Sequence, residues 1–146
     1  MLTPAEITRI HKTQAGEKHE MRNLAFLNIG LGSGCRAGEI TQLRIKDVYF
    51  HGEPCADWYL DKSITKSGRS RDIIVSDSCM EWVEKWIQYR RAKYPDNAAW
   101  GARNPDALLF HQVRDAWKPL TIQQVNNFFR DMFEKAGIIG ASSHSM

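Results

Sequence analysis

Cysteine is scarce. Cys35, Cys55 and Cys79 are the only three in 146 residues, an odd number with no C-x-x-C spacing. This excludes a disulfide framework and a cysteine-rich zinc site, and it fits a reducing compartment. His51-x-x-x-Cys55 has no second pair at zinc-like spacing, so no metal site is expected. Long apolar runs are also lacking. The longest, Leu24 to Leu31, is interrupted by Asn28 and falls far short of the roughly 20 residues that cross a bilayer. No apolar N-terminal stretch follows a basic segment, so a secretory signal is not expected and the expected location is the cytoplasm, away from membranes. There is no P-loop, no G-x-S-x-G and no acidic cluster for Mg²⁺, and no small-molecule cofactor is expected. Strong charge of one sign is missing as well. Twenty Lys and Arg against 17 Asp and Glu leave a net charge of +3, which permits nucleic-acid binding without demanding it, so the placement of the cations matters more than their sum.

What is present reads as one domain over residues 1–146, with no repeat, low-complexity tract or linker to divide it. Thr3-Pro4-Ala5-Glu6 is a capping box with proline at the first helical position. A second helix is predicted from about Glu17 to Leu31, nearly all apolar from Leu24 onward and therefore buried, and ended by Gly32-Ser33-Gly34. A third carries Arg36 through Leu43. Val48-Tyr49-Phe50, Trp58-Tyr59-Leu60 and Asp72-Ile73-Ile74-Val75 are β-prone runs and predict a small three-stranded antiparallel sheet. A helix from about Ser78 presents Met80, Val83, Trp86, Ile87 and Arg90 at helical spacing until Pro95 stops it. Leu108-Leu109-Phe110 is a short buried segment, and Thr121-x-x-Gln124 caps a last helix ended by Gly137. The fold class is α+β, mainly helical.

Two motifs carry chemistry. Gly34-Cys35-Arg36-Ala37-Gly38-Glu39 sets an arginine in a glycine-flanked turn, with a carboxylate three residues on. A guanidinium fork held by backbone suits bidentate phosphate binding; the plain alternative is an (i, i+3) ion pair on a helix surface. Ile64-Thr65-Lys66-Ser67-Gly68-Arg69-Ser70-Arg71 is a turn between two strands, and with Lys62 it gathers four cations that cannot be core. The bland reading is a solvated turn. Trp82 and Trp86 form a stripe that reads as core. Lys85, Arg90, Arg91 and Lys93 form a basic helix end, which complementing the helix macrodipole explains as well as DNA contact would.

In this order the two motifs resemble the first arginine box and the lysine-bearing hairpin of the tyrosine recombinases, the phage-integrase family of DNA strand-exchange enzymes. His144 and Met146 match the first and third positions of that family's H-x-L/M-R box. The resemblance implies an incomplete recombinase catalytic domain, with double-stranded DNA and other recombinase protomers as partners. It assigns Arg36 as phosphate clamp, Glu39 as its orienting partner, Lys66 as the acid that protonates the leaving 5′ oxygen and His144 as a phosphate ligand. Arg44, Lys62, Arg69 and Arg71 would contact the DNA backbone. The family's second arginine and its nucleophilic tyrosine fall beyond residue 146, and Tyr49, Tyr59, Tyr89 and Tyr94 all precede His144, so the expectation is a DNA-binding segment inactive in strand cleavage by itself. The alternative is a non-catalytic DNA- or protein-binding module that keeps the recombinase fold.

Overall fold

Thr3 opens α1 (Pro4–Gln14) with a reciprocal cap. Its side-chain oxygen accepts the Glu6 N–H at 3.2 Å, and the Glu6 carboxylate accepts the Thr3 N–H at 2.8 Å. The computed structural model describes residues 1–142. α2 (Glu20–Ser33) is buried continuously from Asn23 to Gly30, and Gly34 ends it in the left-handed conformation at φ 70°. It starts at Glu20, three residues later than the sequence implies, and its N-cap His19 makes no side-chain cap bond.

α2 packs antiparallel to α5 (Asp77–Lys93). At one end the Ser76 N–H donates to Gly32 O at 2.9 Å, and a Cβ on Gly32 would lie 2.6 Å from that of Cys79. Only glycine permits this approach. The aromatic core closes around the pair: the Phe26 ring sits 4.8 Å from Phe110 and 5.7 Å from Phe129, and Trp86 stacks on Phe110 at 5.4 Å. Phe129 belongs to α6 (Ile122–Lys135), whose Thr121–Gln124 capping box forms as its sequence requires.

Between α2 and α5 the chain is irregular. The helix expected through Leu43 stops after one turn, α3 (Ala37–Ile40), and a second turn follows, α4 (Ile45–Val48). Leu43 O accepts the Leu109 N–H at 2.9 Å and the Ile45 N–H donates to Ala107 O at 2.8 Å. These pairings with a segment some 60 residues away hold the backbone extended where the helix would have continued.

The β-prone runs form separate two-stranded ribbons. β1 (Tyr49–Phe50) pairs with β2 (Glu53–Pro54), while β3 (Asp57–Leu60) pairs with β4 (Arg71–Ile74). The first run folds back on itself because His51 and Gly52, at φ 52° and 80°, make a two-residue turn whose twist matches a hairpin. A third ribbon, β5 (His111–Gln112) with β6 (Asp115–Pro119), has no counterpart in the sequence reading.

Arg90 corrects the reading of the basic helix end. It is 1% exposed, and its guanidinium donates to the carbonyls of Ala99, Trp100, Leu108 and Leu109 at 2.7–3.1 Å. It therefore serves as a staple for the 97–110 loop and is withdrawn from the outer surface.

Candidate functional site

Arg36 stands at the junction of α2 and α3. The left-handed Gly34 turns the chain, Cys35 donates its N–H to Ser33 Oγ at 3.1 Å, and the Arg36 N–H donates to Glu39 Oε1 at 2.9 Å. The backbone of the arginine is thus fixed from both sides while its side chain reaches the surface.

The β3–β4 ribbon brings Lys66 to the same place. Its tip is pinned at the base: the Thr65 hydroxyl, buried, donates to Arg69 O at 2.8 Å, and the Lys62 N–H donates to Ser70 Oγ at 3.0 Å. The Ser63 N–H bonds to Asp61 Oδ2 at 3.0 Å, and bonds from Ser63 hold the Asp61 carboxyl below its ordinary pKa. Lys66, Ser67, Gly68 and Arg69 beyond these ties are exposed.

Arg36 and Lys66 line one open cavity of about 800 Å³. The Arg36 turn forms one wall, Ser63 to Lys66 a second, and Ile122 and Asn126 of α6 the third. Gln42 and the two α6 residues carry no sequence signal for this position; they arrive through the packing of α6 across α3.

Among the described residues Glu39 is the only carboxylate lining the cavity, and it is 2% exposed. Its Oε1 accepts both the Arg36 N–H and, at 2.7 Å, Nη2 of Arg71 from β4. The carboxylate therefore anchors the Arg36 backbone and is neutralised by the hairpin. Its Oε2 is buried without a hydrogen-bond partner among the described residues. With Glu39 neutralised, Arg36 and Lys66 leave the cavity cationic and suited to an anion with several oxygens. Burial pushes the Cys35 thiol up and that of Cys79 to about 12, so neither is a nucleophile near neutrality.

The remaining expected residues are spread around this centre. Arg71 is held on Glu39 with its side chain 41% exposed. Arg44 donates to Asp106 O, beside the Lys46–Asp106 ion pair at 2.8 Å. Lys62 and Arg69 are exposed on the hairpin. His144 lies outside the described residues. Among the described residues no group of three His, Cys, Asp or Glu is placed to hold a metal ion, and no helix is long and apolar enough to cross a membrane.

Compared with known protein families, residues 1–146 match the phage integrase family. No curated protein matches the chain. Several solved structures share its fold. XerA recombinase superposes with a TM-score of 0.69 at 22% identity, over 98% of this chain and 46% of that one. The Tn1549 transposon integrase, in complex with circular intermediate DNA, gives 0.70 at 19% identity over 99% and 50%. XerH site-specific recombinase, bound to a palindromic difH substrate, gives 0.63 at 20% identity over 98% and 38%. The chain thus spans half or less of the length of these structures.

Proposed function

This chain belongs to the phage integrase family, and from that premise we propose that residues 1–146 are part of one catalytic domain that grips duplex DNA through its phosphates. The observation that carries the reading is the shared cavity: Arg36 and Lys66, 30 positions apart, line it from two adjoining walls. Arg36 binds two oxygens of one phosphate. Lys66, on a tip tied only at its base, delivers a proton to the departing 5′ oxygen. Fixed cations neutralise the charge that builds on the phosphate in the transition state. Glu39 works one step back by holding the arginine's backbone. His144 is assigned to the same phosphate on the family resemblance alone.

The nucleophile is not among the residues that line the cavity. Tyr49, Tyr59, Tyr89 and Tyr94 all lie elsewhere, so residues 1–146 alone bind DNA and form no phosphotyrosyl bond.

Fluorescence anisotropy on two unrelated duplexes across a salt series tests this. Neutralising about four phosphates gives a log–log slope of about −3.6, with dissociation constants on the order of 10⁻⁴ to 10⁻⁶ M at physiological salt and little sequence preference. Salt-independent binding refutes the reading. A covalent adduct with a suicide substrate, mapped to any of the four tyrosines, refutes the inactivity.

A further inference from the structure

A second cavity of about 90 Å³ sits at the far end of the α2–α5 pair, where α2 begins. At about 1.5 Å per residue, the 14 residues of α2 set it roughly 21 Å from the Arg36 turn. Its walls are aromatic. Trp86 and Tyr89 stack with centroids 5.8 Å apart, Tyr94 leans on Trp100 at 5.4 Å, and Trp100 meets His111 edge-on at 4.6 Å.

Every charged residue lining this cavity is basic. Lys18, Arg22, Arg90 and Lys93 are joined by His19 and His111, and among the described residues no carboxylate lines it. None of these cations is in an ion pair; those formed among the described residues use Lys46, Arg71 and Lys135. Arg22 is half-buried and gives Nε and Nη2 to a neutral acceptor, Asn23 Oδ1, at 3.1 and 2.9 Å. Arg90 gives its donors to carbonyls and lies over the Trp86 ring at 5.7 Å, so its charge meets aromatic and carbonyl dipoles but no anion. Burial pulls Arg22 and Arg90 down to about 10. Burial, then Arg22, Lys18 and Lys93, lowers His19; burial, then Arg90 and Arg22, lowers His111 against the Gln112 carbonyl and Asp115. The uncapped start of α2 at His19 adds the positive end of a helix dipole.

Like charges gathered against low-dielectric walls cost free energy that one anion removes. We propose that this cavity binds a phosphate-class oxyanion at a site separate from the Arg36–Lys66 cavity. At about 90 Å³ it is smaller than the roughly 150 Å³ cavity that accepts benzene, so it takes the anionic head alone. Two sources share that chemistry: inorganic phosphate, and a mononucleotide whose base lies on the exposed face of Tyr89.

The test follows the ring resonances of His19 and His111 by NMR in the 146-residue chain, titrated with inorganic phosphate or adenosine monophosphate at constant ionic strength. The expected result is a saturable shift at both histidines, unchanged in Arg36→Gln. It weakens by about tenfold or more in a Lys18→Gln/Lys93→Gln double variant, whose exposed positions leave the core intact. Tighter binding of the nucleotide identifies the base as part of the ligand, and equal binding identifies phosphate alone. Overturning results are the absence of saturation, the same shift with chloride, loss of the shift in Arg36→Gln, or full affinity in the double variant.

Discussion

The Arg71 guanidinium reaches from β4 to Glu39 Oε1 at 2.7 Å, the same oxygen that accepts the Arg36 N–H. One carboxylate thereby ties the hairpin that carries Lys66 to the turn that carries Arg36. The two partners are unequal, because Glu39 is buried and Arg71 is 41% exposed in its side chain.

That inequality sets an order of cost. Arg71→Ala strands a buried carboxylate and costs roughly 1–3 kcal/mol. Glu39→Gln keeps an acceptor for the Arg36 N–H and releases a half-exposed arginine into water, at a cost under about 1 kcal/mol. Urea unfolding of both variants checks the order; a costlier Glu39→Gln would contradict it.

The hairpin cations differ in availability. Lys66→Ala and Arg69→Ala should each flatten the DNA salt slope by about 0.9, weakening all duplexes alike. Arg71→Ala should flatten it by less, since its guanidinium is engaged by Glu39. Anisotropy at four salt concentrations separates these outcomes.

Arg90→Lys is a severe change despite its retained charge. A lysine cannot reproduce a planar fork that serves four carbonyls, and leaving even two of them buried and unbonded costs roughly 3 kcal/mol or more. Thermal denaturation measures the loss; a drop within about 0.5 kcal/mol, as for an ordinary surface site, would remove Arg90 from this role.

Acid weakens the fold through its histidines. Burial is the leading cause that holds His11, His19 and His111 below their ordinary value of 6.5. Below 6.5 the unfolded chain binds protons that the folded chain refuses, so stability is full above that pH. It falls as pH drops through 6.5 to the folded values, and levels off beneath them. Urea midpoints at about pH 7.5, 6.5 and 5.5 should decline in that order, and His111→Gln should shallow the decline.

Local chemistry was legible and long-range chemistry was not. Both Thr-initiated capping boxes and the buried stretch of α2 follow from residues within a turn or two of one another. The arginine turn and the hairpin were also readable, since glycine and clustered cations mark them. Arg90 reads as a helix-end cation because its four acceptors lie 9 to 19 positions away, on a loop with no periodicity. Leu43 reads as helix because its partner is Leu109. The β5–β6 ribbon turns at Val113-Arg114, a pair with no glycine, proline or asparagine to announce it. Likewise, nothing in the local pattern of Arg71 points to Glu39, 32 residues earlier.

The contact at Gly32 governs how α2 and α5 are held against each other. Helices that meet through long side chains can slide past each other by changing rotamers, but here the backbone of α2 lies against that of α5, with Ser76 bonded to Gly32 O and Cys79 beside it. Sliding one helix along the other would drive this contact into overlap, so Gly32 sets the register of the pair. The spacing between the arginine turn at one end of the pair and the aromatic-walled cavity at the other is thereby set by one glycine.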